Sequence, residues 1–346
     1  AVVNVRARAR DGKGLKKLLS EDNSYVFSLI HKFTQRVREP WSERRDVIVI
    51  SDEAHRTQYG RLATNMRAAL PNAKFIGFTG TPLMESAEDQ LTRRVFGDYV
   101  SVYDFQRAVA DGATVPLSYE PHGEKLQIVD ATINQRIKER IDTLAAEGDL
   151  TEEQEEKLYK ELNTEGFVLT LPSRLQKVAD DFVRHYSDRW KMMNGHGKAM
   201  MVCLDKRTCV QMFDLIQQAW KQRAHALQQR VIEETGRYQA LGKSPDDQLI
   251  EWQRKVDWML ETEMCVVLSQ GATERKDFAD WGLDIKPHRD KMNQRKLEDE
   301  FKKPGHPFRV VIVCAMWLTG FDVKPLATLY LDKPMRNHTL MQTIAR

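Results

Sequence analysis

Two adjacent acids at the end of an apolar run carry the strongest chemical signal in this chain. The run is Val47-Ile48-Val49-Ile50-Ser51-Asp52-Glu53-Ala54-His55, four consecutive β-branched residues that deliver Asp52 and Glu53 where a strand should end. Ligands of open α/β sheets bind at that C-terminal edge. A nucleotide hydrolase needs such a pair for separate jobs. One carboxylate holds Mg²⁺, usually through water, because a hard ion keeps much of its hydration. The other accepts a proton from the attacking water or orients it. Asp52 is expected to be the metal ligand and Glu53 the catalytic base. The alternative, an acidic strand end that only caps the next helix, leaves the buried-looking run in front of it unused.

Further candidates follow the same grammar. Thr79-Gly80-Thr81-Pro82 closes a second apolar run, Lys74-Phe75-Ile76-Gly77-Phe78, and its hydroxyls suit relaying the state of a bound phosphate; taken alone it is a turn. Trp317-Leu318-Thr319-Gly320-Phe321-Asp322 follows the run Arg309–Cys314. Gly320 permits a tight turn and Asp322 offers an acceptor to a ribose or to basic residues. Gln342 and Arg346 stand one helical turn apart, on one face. A guanidinium fork there has the chemistry of an arginine finger that stabilises charge on a transferring phosphate.

These residues must be positioned by strands alternating with amphipathic helices, the pattern of an α/β fold with mostly parallel sheets. Strands are expected at Tyr25–Ile30, Asp46–Ile50, Lys74–Phe78, Ala199–Leu204, Met264–Ser269, Arg309–Cys314 and Thr328–Leu331. Their unbroken apolar character predicts cover on both faces. Helices are expected over Tyr59–Leu70, Arg174–Arg189, Thr208–His225, within 226–262, and Arg289–Lys302. Residues 126–170, rich in Glu, Lys and Gln, read as a charged helical connector, or as a solvated helix face with no specific role. The expected organisation is a first domain over 1–125, that connector, and a second domain over 171–346 with a helical insertion around 220–305. Trp252 and Trp258 sit among charges and read as packing anchors between helices rather than platforms for stacked bases.

Composition narrows the classes. The chain has 346 residues, 41% of them hydrophobic and 30% charged, enough to bury two ordinary cores in a globular protein. No run approaches the ~20 apolar residues that cross a bilayer, and the start lacks a signal-peptide pattern. Four cysteines are too few for a disulfide scaffold, and Cys203 and Cys314 lie in apolar runs as small buried hydrophobes, which points to the cytoplasm. A net charge of +3 is compatible with nucleic acid without arguing for it.

Taken in order, the motifs resemble the motor (R) subunit of type I restriction-modification enzymes, a branch of the superfamily-2 helicases. The most telling stretches are Asp52-Glu53-Ala54-His55-Arg56-Thr57-Gln58-Tyr59-Gly60, Phe75 to Pro82, Asp111-Gly112-Ala113-Thr114-Val115-Pro116, and Met316 to Asp322 continuing through Asp332-Lys333-Pro334 to His338 and Met341-Gln342. The resemblance covers nearly the whole chain. It implies two RecA-like domains, the first incomplete, that close on Mg·ATP and step along double-stranded DNA, within a complex with methylation and specificity subunits. It also implies that His55, Thr79, Gly80, Thr81, Thr319, Gly320, Asp322 and Gln342 bind the nucleotide or couple to it. Ser28, His31 and Lys32 are similar to a DNA-contacting segment. Lys198–Cys209, with Lys206 and Arg207 as DNA contacts, looks like the opening motif of the second motor domain.

The departures from the family pattern are definite. No Gly-x-x-x-x-Gly-Lys-Ser/Thr occurs, so the phosphate-cradling loop is absent from this sequence. In the family that loop and the nuclease precede the point where this chain begins, and the final motif continues past Arg346. The expectation is a fragment with half an ATP site, inactive alone. The rivals are a DEAH-type helicase or a type III restriction motor, which should lack the lysine-proline segment after Asp332, and a degenerate helicase-fold scaffold, against which the intact Asp52, Glu53, Gln342 and Arg346 argue.

Overall fold

The structure is a computed structural model that describes residues 7–34, 36–54, 59–80, 93–122, 168–318 and 321–335, together with Leu340 and Thr343. The described chain falls into two compact units. One takes in the residues up to Pro121 and Leu340; the other takes in His122 and, Leu340 apart, everything from Val168 on. Strands pair in parallel and helices run between them, so the fold is α/β as the alternation predicts.

In the first unit β1 (Ala7–Arg8) pairs with β2 (Val26–Phe27), and β3 (Ile48–Ser51) pairs in parallel with β4 (Lys74–Gly77) in the register Ile48 to Lys74 through Ser51 to Gly77. Helix α1 (Gly12–Ser20) starts at Asp11, whose carboxylate accepts the Gly14 N–H at 2.6 Å. Helix α2 (Tyr59–Ala69) makes the crossover between β3 and β4, and α3 (Phe105–Ala110) follows. Side chains alternate across a strand. Val47, Val49 and Phe75 therefore pack on Met66, Ala69, Leu70 and Ala73, while Ile48, Ile50 and Ile76 face outward. The expected two-sided cover does not hold here. Nor does a strand over Tyr25–Ile30: only Val26–Phe27 pairs, and Ile30–Phe33 coils into a 3₁₀ turn that stacks Phe33 on Trp41, centroids 5.2 Å apart.

The second unit is built on a parallel sheet in the order β6-β7-β5-β8, from β5 (Lys198–Cys203), β6 (Glu263–Val267), β7 (Phe308–Val313) and β8 (Leu326–Asp332). Its helices are α4 (Pro172–Asp188), α5 (Lys206–Ala240), α6 (Asp247–Glu261), α7 (Glu274–Asp280), α8 (Lys286–Gln294) and α9 (Leu297–Lys302). Here both faces are covered. Met201, Cys203, Met264, Val266, Val310 and Ile312 meet Phe182, Tyr186 and Trp220 on one side. On the other, Met200, Val202, Cys265, Val267, Val311 and Val313 meet Leu297, Phe301 and Phe321.

Two helix boundaries differ from expectation. Helix α5 runs unbroken past His225 to Ala240, because Val231 and its neighbours gain a packing partner in Leu249 and Val256 of α6. It ends where Gly242 takes φ +62° and the Lys243 N–H returns to the Tyr238 carbonyl at 2.9 Å. The helix expected over Arg289–Lys302 breaks at Arg295, whose extended backbone lets its guanidinium reach Glu300 at 2.7 Å and Glu263 at 2.8 Å. The two tryptophans are packing anchors: Trp258 donates to the Gly195 carbonyl at 2.9 Å, and Arg230 lies 4.1 Å from the Trp252 ring centroid. All four cysteines are buried and unlinked. Among the described residues, no helix is long and apolar enough to cross a membrane.

Candidate functional site

Strand β3 ends at Ser51, and the chain turns within the next two residues. Glu53 adopts φ +52°, the left-handed region, which costs a residue bearing a Cβ roughly 1 kcal/mol or more. Three hydrogen bonds hold that turn. The Glu53 N–H donates to Asp52 Oδ1 at 3.0 Å, the Phe78 N–H to the Ser51 carbonyl at 2.8 Å, and the Ala54 N–H to the Phe78 carbonyl at 2.9 Å. The β3–β4 ladder thus continues past the strands and lays Phe78 beside the Ser51–Ala54 turn. Asp52 is exposed, whereas one carboxylate oxygen of Glu53 is shielded from solvent. A single open carboxylate of oxygen donors fits a hydrated Mg²⁺, which retains most of its waters. The two acids therefore sit in different surroundings one residue apart.

Gly77 makes this close approach possible, and the sequence reading did not single it out. A Cβ there would stand 2.9 Å from the Ala54 Cβ and 3.0 Å from the Phe96 ring. A glycine three residues before the Gly80-Thr81-Pro82 motif is the signal that could have marked it.

Of the residues expected in the second unit, Lys206 and Arg207 lie just after β5, and Asp322 lies in the connection between β7 and β8. Asp205 follows β5 and caps α5 by accepting the Thr208 N–H at 2.7 Å; Lys206 and Arg207 form the helix's first turn, and Arg207 is exposed. After β7 the chain passes Trp317, at φ +66°, to Phe321, and these rings stack with centroids 4.2 Å apart against Phe301. Asp322 is exposed between the buried Phe321 and Val323, so its neighbours fix the loop while its carboxylate meets solvent. At the end of β8, Asp332 forms a buried ion pair with Arg174 of α4, with a second bond at 3.1 Å. Burial raises the Asp332 pKa despite the guanidinium. Lys333 is buried and donates to the Cys314 carbonyl at 3.3 Å, which ties the end of β8 to the loop after β7. Arg174 and Lys333 were not anticipated as site supports; a lone arginine 158 residues from its partner leaves no local pattern.

The Cys314 thiol is lowered by a hydrogen bond from Cys209 and by the nearby Lys333 and Lys206, while burial raises Cys209. In the first unit Ser28 and His31 are exposed, and Lys32 donates to the Arg10 carbonyl at 2.6 Å, so part of its donor capacity serves the fold. His55, Thr81, Thr319, Gly320, Gln342 and Arg346 lie outside the described residues.

Comparison with known proteins gives this arrangement a family. Residues 2–156 match the SWI2/SNF2 ATPase family, and residues 195–346 match the type I restriction enzyme subunit R domain 3 family. The chain is 36% identical to the type I restriction enzyme HindI endonuclease subunit of Haemophilus influenzae, over 98% of this chain and 29% of that protein. It is 31% identical to the MjaIXP type I restriction enzyme endonuclease subunit of Methanocaldococcus jannaschii, over 100% of this chain and 29% of that protein. The chain therefore spans under a third of the length of these relatives. It belongs to the family of type I restriction enzyme endonuclease (R) subunits, with a SWI2/SNF2 ATPase region followed by R-subunit domain 3.

Proposed function

We propose that this chain is the ATP-driven motor part of a type I restriction enzyme R subunit, moving double-stranded DNA so that a nuclease elsewhere in the subunit cleaves it. The observation that carries the proposal is the paired acid at the C-terminal end of β3, with Glu53 held in a left-handed turn by the extension of the β3–β4 ladder. A strained residue kept in place by its surroundings is a common mark of a working site.

Asp52 would hold Mg²⁺ through water, and the ion would neutralise charge on the ATP phosphates. Glu53, less open to solvent, orients the attacking water and accepts its proton. Arg346 supplies a guanidinium to the charge that builds on the transferring phosphate. His55, Gln342, Thr319, Gly320 and Asp322 contact the nucleotide or couple to it, and Thr79, Gly80 and Thr81 sense the state of the neighbouring acid. Ser28, His31, Lys32, Lys206 and Arg207 contact DNA phosphates, and the methylation and specificity subunits supply site recognition.

The test uses the full-length subunit assembled with its methylation and specificity partners. Duplex DNA bearing the recognition site is expected to stimulate ATP hydrolysis, and a triplex-forming strand bound downstream is expected to be displaced with a lag that grows with distance. Hydrolysis without displacement would overturn the translocase reading.

A further inference from the structure

A cluster of titratable side chains lies away from the strand-end residues described above. His185 sits in the last turn of α4, and Asp181 lies one turn earlier on the same face. Asp181 Oδ2 is 2.6 Å from His122 Nδ1, and its other oxygen pairs with Arg184. Tyr330 of β8 brings its hydroxyl to 2.7 Å from His185 Nδ1. The two imidazoles meet edge to face with centroids 4.8 Å apart, and each offers a ligand atom within 4.8 Å of the other's.

We infer that His122 and His185 form a chelating site for a divalent transition metal ion of borderline softness, such as Zn²⁺ or Ni²⁺. Three features support it. Two imidazoles close enough to share one ion suit such metals rather than Mg²⁺ or Ca²⁺, which take oxygen donors. Each ring is also held at Nδ1, one by a carboxylate and one by a phenol hydroxyl. Such a partner on one ring nitrogen fixes the ring's orientation and tautomer, as in most protein imidazole ligands. Finally, the site is reachable: the His122 side chain is 38% exposed, so an ion enters without unfolding. Glu120 stands two residues before His122, so connectivity keeps a carboxylate near the ion, and water completes the shell. Two of the elements concerned, α4 and β8, belong to the core of the second unit, and Phe182 packs its ring on Tyr330 at 4.5 Å. The ion would staple His122 to α4, reinforcing its hydrogen bond to Asp181 and its ring contact with His185.

Zn²⁺ titrated calorimetrically into the metal-stripped 346-residue chain, in millimolar Mg²⁺ to saturate carboxylate sites, tests the inference. One ion per chain is expected to bind, and either His122→Asn or His185→Asn should weaken it on the order of a hundredfold, with Asp181→Asn weakening it about tenfold. His122 is exposed, so its substitution leaves the fold in place even if that of His185 does not. Zinc binding should raise the melting temperature of the wild-type chain and not of the His122→Asn variant. Absence of zinc binding to the wild-type chain, or an affinity unchanged by His122→Asn, overturns the inference.

Discussion

Val47–Ile50 of the first unit and Val310–Val313 of the second have nearly the same residues, yet the chain treats them differently. In β7 every residue is buried, because helices cover the sheet on both sides. In β3 the alternate residues Ile48 and Ile50 remain 60% and 67% exposed, since α2 covers one face only. A β-branched run thus announces a strand but does not announce its cover, which depends on what packs from elsewhere. The chemistry divides along the same line. In the second unit the exposed Asp322 is flanked by the buried Phe321, stacked on Trp317, and by the buried Val323, whereas the turn at Glu53 depends on two backbone hydrogen bonds, one bond to the Asp52 carboxylate and a glycine contact.

The largest effect that would sharpen this contrast is on stability. Ile312→Ala removes a fully buried branched side chain from the centre of the sheet and should cost about 4 kcal/mol, read by denaturant unfolding. A loss below about 1 kcal/mol would mean that the second core relaxes as easily as the first.

Acid should also act on the second unit. His288 is 6% exposed against Phe213, and burial, with Lys291 nearby, lowers its pKa to about 4 while Asp284 opposes. Because the folded value lies below the unfolded one, the neutral ring contributes stability present above about pH 6.5 and lost as pH falls through about 4. The loss should approach about 3 kcal/mol, an order-of-magnitude figure, and His288→Gln should flatten it. Melting curves of both proteins between pH 7 and pH 4 decide the matter; parallel curves would remove His288 as the cause.

Much of this was legible from residue types. Strand ends carrying acids, the order of the motifs and the α/β class all follow from local pattern, and the structure has strands ending at Ser51 and Val313 as that pattern implies. The left-handed turn at Glu53 was not legible, because it arises from a ladder bond between Ala54 and Phe78 across the sheet. Nor was the Arg174–Asp332 pair, whose partners are remote in sequence. The outward face of β3 was misread for the same reason: burial is a property of neighbours.

Gly77→Ala probes the weaker support in the first unit. The added methyl would overlap Ala54 and Phe96 and should cost about 2 kcal/mol, together with reduced ATP hydrolysis in the full subunit as the Asp52–Ala54 turn shifts. Unchanged stability and turnover would mean that the turn does not need this contact. The smallest effect belongs to Ile50→Ala, which should cost under about 1 kcal/mol because the side chain already faces solvent. A cost equal to that of Ile312→Ala would erase the contrast between the strands.

The role proposed for Glu53, rather than its neighbour, is to be the base that activates water. It is tested most directly by ATP hydrolysis in the full-length subunit carrying Glu53→Gln, which keeps the shape of the side chain and removes its basicity. Nucleotide should still bind while DNA-stimulated hydrolysis falls by roughly two to four orders of magnitude, the usual worth of a positioned general base, and cleavage should stop with it. Hydrolysis at close to the wild-type rate with the glutamine in place would contradict it.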